Sequence, residues 1–336
     1  MDVTESRQIP FPWLLPALDK FGDLLQQNRV PHALLVTGIP GMGKSVFAQQ
    51  LALRLLCESP GNAGESCGQC SGCTLYQAGT HPDYFHVTFE VDEKTGKVSS
   101  VIKVDQIRAL SEGLALSRHG TAHKVAILEP ANALNINAAN SLLKTLEEPA
   151  DNTVLILVSA QPGRLPATIR SRCQQLRFDV PDTAVALEWL RNQYDGPQPE
   201  VFLQLAGGAP LRALQLIREN ALEERRARFD ALVGLCEGRA DAIVVAQSWA
   251  KDEDLRGLHW LRGWLMDLLK IRLAGTDSGI QSVDLADSLT SLAQRLDSKV
   301  LFGQLDKLNR LLRLENTSLN RQLMMEDVLL MWAEQG

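Results

Sequence analysis

The stretch Ala33-Leu34-Leu35-Val36-Thr37-Gly38-Ile39-Pro40-Gly41-Met42-Gly43-Lys44-Ser45 decides how this chain is read. A short apolar run, Ala33–Thr37, reads as a buried strand. It leads into Gly38–Ser45, which satisfies GxxxxGK[ST] throughout, and a helical pattern follows near Lys44–Cys57. Strand, glycine-rich turn and helix are the context in which this motif cradles phosphate. Glycines let the backbone turn tightly and aim N–H groups at phosphate oxygens, and the helix N-terminus adds a favourable dipole. In that chemistry a lysine reaches the β- and γ-phosphates and a hydroxyl ligates Mg²⁺. Gly38, Gly41, Gly43, Lys44 and Ser45 are therefore candidate nucleotide-binding residues, with ATP or ADP and Mg²⁺ as the ligand. The plainer alternative is a glycine-rich turn that binds nothing.

Outward from this loop, apolar runs at Tyr84–Phe89, Val125–Glu129 and Val154–Ser159 alternate with helical patterns near Val104–Leu116 and Ala138–Glu147. Continuous Val, Ile, Leu and Ala runs are expected of parallel strands buried on both faces. Their alternation with helices predicts an α/β layer around a mostly parallel sheet. After Gln175–Asp179 the pattern changes, and Pro181 and Asp182 mark a break. Beyond it the chain reads as helical, with apolar stripes at Leu255, Leu258, Leu261, Leu265, Leu268 and Leu269, and again at Phe302, Leu305, Leu308, Leu312 and Val328–Trp332. Such stripes are ordinary core packing. A turn-rich break at Gly196–Pro199 falls inside a small helical unit, and Leu216–Leu222 is the next boundary. The expected division is an α/β domain over 1–180, a small helical unit over 181–221 and a helical domain over 222–336.

Composition bounds the rest. A chain of 336 residues, 45% hydrophobic and 22% charged, is ordinary globular usage and long enough for about two or three domains. The net charge of −6 argues against a protein that coats nucleic acid with its whole surface, though not against a local basic patch. No apolar run is long enough to cross a membrane. Met1–Pro10 lacks the basic-then-apolar order of a secretory signal, so a cytoplasmic, reducing location is expected. There cysteines act as thiols or metal ligands.

Cys57, Cys67, Cys70 and Cys73 follow the spacing C-x9-C-x2-C-x2-C around a polar, glycine-rich loop. Four thiolates can close a tetrahedral structural zinc site, and such a site stabilises a module with little core of its own. A redox pair and an iron–sulfur cluster are the alternatives. His81-Pro82-Asp83 builds a turn into the next strand, and Cys173 and Cys236 read as small core residues. The parts needed for hydrolysis are poorer. Glu129 follows the strand Lys124–Leu128, where a carboxylate could serve Mg²⁺. The next residue is Pro130, which has no side-chain acceptor to orient or deprotonate water.

Together these motifs resemble the bacterial clamp-loader branch of the AAA+ ATPases. The four-cysteine insert directly after the phosphate-loop helix is similar. So are Gly79-Thr80-His81-Pro82-Asp83, Leu142-Leu143-Lys144-Thr145-Leu146-Glu147-Glu148-Pro149, and Leu165-Pro166-Ala167-Thr168-Ile169-Arg170-Ser171-Arg172-Cys173 with its Ser-Arg-Cys signature. Asn320–Trp332 resembles the last helix of the family's collar domain. The resemblance covers nearly the whole chain. It implies an AAA+ α/β module with a zinc insert at about 57–81, an all-α lid and an all-α collar. It implies a hetero-pentameric ring with gamma or tau motors and delta, acting on a sliding clamp and primer-template DNA. It also implies that Arg172 points across an interface as an arginine finger in trans, with Arg170 as a competitor. Three departures from the motor subunits stand out. Glu129-Pro130 replaces an Asp-Glu pair. Ala160 sits near a polar sensor position. Gly208-Ala209-Pro210-Leu211-Arg212 places Leu211 where motors carry a sensor arginine. The resemblance implies a subunit of the DNA polymerase III complex; the intact phosphate loop predicts nucleotide binding, and these departures predict no turnover. A hydrolysing gamma-type motor and a DNA-maintenance adaptor outside the loader are the alternatives.

Overall fold

The computed structural model describes residues 11–61, 64–92, 94–117, 123–251, 255–275, 279–313 and 320–333. The stretch 1–10, read above for a signal, lies outside them, as do residues 62–63 of the cysteine loop. The chain divides into two compact units. One comprises Met1–Trp189 with Ala209–Arg212, the other Leu190–Gly208 with Ala213–Gly336.

The first unit is built on β1 (Ala33–Thr37), β2 (Tyr84–Val87), β3 (Lys124–Leu128), β4 (Thr153–Ser159) and β5 (Gln174–Arg177). They form one all-parallel sheet in the order β2-β3-β4-β1-β5. β1, β3 and β4 are buried at every position, which is why their sequences run apolar without alternating. The described helices of this layer are α1 (Leu15–Gln26), α2 (Lys44–Leu56), α3 (Ser71–Gln77), α4 (Val104–Ala115), α5 (Ile136–Glu147) and α6 (Ala167–Arg170), with α3 against α2 and α6 against α5. On one face Leu35, Ala126, Leu128, Leu155 and Leu157 pack with Ile107, Leu110 and Leu114 of α4 and with Leu142 and Leu146 of α5. On the other, α2 covers β1, β3 and β4, and Phe47 makes edge contacts with Phe21 and Phe178.

The end of β2 differs from the sequence reading. β2 stops at Val87 because the Glu129 N–H takes the Val87 carbonyl at 2.9 Å as the last rung of the ladder; Phe89 still packs against the core. β3 opens on a buried lysine. The Lys124 ammonium donates to the carbonyls of Gly113 (3.1 Å), Leu114 (3.0 Å) and Leu116, and so ties the strand to the negative end of α4.

The second part of the chain is helical: α7 (Thr183–Gln193), α8 (Pro199–Leu205), α9 (Pro210–Arg218), α10 (Ala221–Cys236), α11 (Ala242–Trp249), α12 (Arg256–Ala274), α13 (Ala286–Arg295), α14 (Ser298–Arg313) and α15 (Arg321–Ala333). No described helix is long and apolar enough to cross a membrane. The leucine stripe of α12 is buried as expected, together with Trp249, Trp264, Trp332 and Val328. On α14 the stripe is turned by one residue. Leu301 and Leu308 are buried, Leu305 and Leu312 are partly so, and Phe302 is 49% exposed. Positions 301, 305, 308 and 312 share one helical face, and 302 lies about 100° from it.

Arg225 and Asp267 are charges held deep in this unit. Arg225 is 2% exposed, stands over the Trp264 ring at 5.5 Å, pairs with Asp284 and donates to the Ser282 hydroxyl at 2.6 Å. Burial pushes its guanidinium pKa down, and Asp284 opposes the shift. Removing one partner of a buried pair strands the other, at about 3–5 kcal/mol. Asp284→Ala is therefore expected to lower the urea midpoint of the unfolding transition reported by tryptophan fluorescence. An unchanged midpoint would show that Asp284 does not hold Arg225.

Candidate functional site

The phosphate loop lies between the carboxyl end of β1 and the start of α2. Gly43 caps α2 in the left-handed conformation (φ 83°), and its carbonyl accepts the Phe47 N–H at 2.9 Å. The Lys44 side chain is buried and its ammonium donates to the Ile39 carbonyl at 2.7 Å. Burial pushes this amine below its ordinary range, and the Glu129 carboxylate pulls the other way. The Ser45 hydroxyl donates to a Glu129 carboxylate oxygen. Glu129 is the first residue beyond β3, and a parallel sheet brings all its strand ends to one edge. Ser45 and Glu129, both singled out in the sequence, are thus brought together. Pro130 follows and presents no acceptor. A chain with this arrangement can hold a phosphate–Mg²⁺ group at Ser45 and Glu129 but lacks a carboxylate at the next position.

Gly41 is also left-handed (φ 83°), and here glycine is required twice over. A Cβ there would lie 2.6 Å from that of Arg212, and the Gly41 carbonyl accepts the Leu211 N–H at 3.1 Å. The start of α9, the segment read as an imperfect sensor, therefore sits directly on the loop. The Trp13 indole N–H takes the Met42 carbonyl at 2.9 Å. Sequence reasoning pointed to Ala160 and missed Ser159, the last residue of β4. Ser159 is buried, and its hydroxyl donates to Asn132 at 3.0 Å beside the β3 end. A polar residue closing an apolar strand was the available signal.

The four predicted cysteines converge. Their sulfurs all lie within 4.8 Å of one another, with Cys57–Cys70 at 3.9 Å and Cys67–Cys73 at 4.0 Å. Tetrahedral zinc with Zn–S bonds of about 2.3 Å needs sulfurs about 3.8 Å apart, so the cluster fits that ion. Cys57 caps the end of α2, and Cys70 caps α3 by accepting the Cys73 N–H at 3.4 Å. Further backbone N–H groups point at sulfur: Cys67 to Cys57 at 3.3 Å, Cys70 to Cys67 at 3.3 Å and Glu58 to Cys70 at 3.4 Å. Such donors favour thiolate, and N–H bonds from Gln69 and Cys70 pull the Cys67 pKa down to about 6. Burial pushes Cys57 and Cys73 up. α3 was not foreseen. It passes so close to α2 that a Cβ on Gly72 would lie 2.1 Å from the Leu56 carbonyl oxygen. His81 is no part of the cluster; its Nδ1 accepts the Asp83 N–H at 3.1 Å, forming the expected turn. Cys173 and Cys236 are buried core thiols, each pushed up to about 11 by burial.

Arg172 lies between α6 and β5. Its guanidinium donates to the Thr168 carbonyl at 2.9 Å and pairs with Glu147 at 2.6 Å, leaving the side chain 36% exposed. Arg170 instead turns its Nε inward, where no acceptor meets it.

The cysteine geometry predicts about one zinc per chain on metal analysis. Protons compete with the metal for all four sulfurs, so zinc affinity should fall as the pH falls, and loading at neutral pH should release protons. Gly72→Ala should weaken zinc retention against a chelator, because α3 must move off the Leu56 carbonyl. A stably folded, metal-free protein would contradict this.

Residues 15–182 match the family described as "DNA polymerase III, delta subunit", and residues 219–334 match its C-terminal family. The DNA polymerase III subunit delta' of Pseudomonas aeruginosa is 36% identical over 328 residues, 96% of this chain and 97% of the relative. That of Escherichia coli is 33% identical over 326 residues, 95% of this chain and 94% of the relative. The tau subunit of Bacillus subtilis is 33% identical over 154 residues, 46% of this chain and 26% of that one. With the parallel sheet, the phosphate loop and the cysteine cluster in place, these relations make the chain a member of the delta-prime family of DNA polymerase III clamp-loader subunits.

Proposed function

We propose that this chain is the stator of the clamp loader: it binds ATP or ADP with Mg²⁺ without hydrolysing it and lends Arg172 to a neighbouring motor. The observation that carries the reading is the pairing of Ser45 with Glu129 immediately before Pro130. Binding parts are complete, with Gly38, Gly41, Gly43, Lys44 and Ser45 on one loop. The position that would polarise water is a proline. Phosphoryl transfer depends on positioning and charge stabilisation, and an arginine supplied in trans is worth roughly 10³–10⁵ in rate. A partly exposed guanidinium on a rigid turn suits that task, because its planar fork matches phosphate oxygens.

In this reading residues 1–180 form the nucleotide-binding domain with the zinc module at about 57–81. Residues 181–221 form the lid, and 222–336 the collar that joins the ring. The partners are gamma or tau motors and delta, and the sliding clamp and primer-template DNA are met through the assembly. The four cysteines hold structural zinc, and the subunit works in the cytoplasm.

Two measurements test this. The isolated chain should bind labelled ATP and ADP, lose that binding in Lys44→Ala, and show no turnover in the same tube. Brisk turnover abolished by Lys44→Ala would make it a motor instead. In a reconstituted loader, Arg172→Ala made only in this chain should depress clamp- and DNA-stimulated ATPase. An unchanged rate would remove the finger role.

A further inference from the structure

We infer that Glu147 is the positioning residue for Arg172: it holds the guanidinium in a fixed orientation and leaves the rest of its donors free for a phosphoryl group. The inference rests on the Arg172 reading above and adds the residue that makes that arginine usable.

Glu147 is the last residue of α5, a place where a carboxylate opposes the helix dipole and a cation would be favoured. The helix itself therefore gives no reason for an acid there. Arg172 does, since its Nη2 lies 2.6 Å from the Glu147 Oε1. The Thr168 carbonyl takes Nη1 at 2.9 Å. A guanidinium has five N–H donors in a rigid fork, so one hydrogen bond to Thr168 and one ion pair to Glu147 bias its orientation and leave other donors for a phosphoryl group. Two-point fixation on one side of a planar group is orientation rather than concealment, and the side chain stays 36% exposed.

Both ends of the pair stand on one piece of core. Leu142 and Leu146 of α5 are buried with Ile169, three residues before Arg172, and with Cys173 directly after it. The Arg172 N–H is held by the Ile169 carbonyl at 3.1 Å. A charged group carried on packed elements, hydrogen-bonded at Thr168 and ion-paired at Glu147, keeps its geometry when a partner arrives. The pair adds little to folding, because half-exposed ion pairs are screened and cost side-chain freedom. Glu147 is 49% exposed, so stability alone gives little use for it.

The test is a double-mutant cycle in the reconstituted loader, with substitutions only in this chain. Glu147→Gln should lower clamp- and DNA-stimulated kcat by at least about threefold, towards the 10²-fold that an ångström of misplacement can cost. KM for ATP, ring assembly on gel filtration and the thermal midpoint of the free chain should stay put. Adding Glu147→Gln to Arg172→Ala should cause no further loss, since Glu147 acts only through that arginine. If Glu147→Gln keeps the full rate while Arg172→Ala loses it, the positioning role is wrong and the finger stands. If Arg172→Ala also keeps the full rate, both fall. Equal further losses in the double variant would place Glu147 in some other task and overturn the inference.

Discussion

Ser45 and Glu129 are separated by 84 residues, and their hydrogen bond exists only because β4 stands between β1 and β3 in a parallel sheet. A parallel ladder delivers every carboxyl end to the same edge, whatever the chain does between strands. That constraint puts the phosphate loop, the β3 acid and the Ser159–Asn132 pair within one small volume. It is maintained by apolar burial. Leu35, Ala126, Leu155 and their neighbours lose water on both faces of the sheet, at about 25 cal/mol per Å² of apolar area removed. The apolar layer thus sets the polar site in place, and its own hydrogen bonds at Ser45–Glu129, Lys44–Ile39 and Ser159–Asn132 complete it.

The cysteine module depends on the same layer at one remove. α2 is anchored by Phe47, Leu51 and Leu55 against the sheet side of the unit, and its last turn presents Cys57. The other three cysteines come from a segment too polar to make a core. Tyr76 is its main apolar anchor, donating its hydroxyl to the Gln49 carbonyl at 3.2 Å and meeting Tyr84 edge-on. Four sulfurs around one ion would replace the hydrophobic contacts that the segment lacks.

In the proposed reading, function separates into groups that bind and a group that is lent. The loop and Glu129 face the chain's own strand ends, whereas Arg172 stands at the surface on the turn between α6 and β5. Glu147 fits this separation. On the inference drawn above it orients Arg172, with which it pairs at 2.6 Å.

Much was legible in the residues alone, for local reasons. GxxxxGK[ST] after an apolar run specifies the turn, the helix start and the side chains at once. The cysteine spacing specifies four ligands, and continuous apolar runs specify buried parallel strands. What stayed hidden were contacts between distant segments. Neither Gly41 nor Leu211 announces that one carbonyl will take the other's amide, and Lys124 does not announce that it will close α4. α3 forms where Cys70 caps it and Gly72 clears the Leu56 carbonyl, and neither event has a periodic signature. Phe302 lay outside the core for a similar reason, since composition names the apolar residues but the packed face of α14 selects among them. The sequence by itself determined which chemistry the chain carries, because that chemistry resides in short motifs. Tertiary structure decided which groups meet, because strand order and helix packing are set by burial of the whole apolar set and not by any one segment.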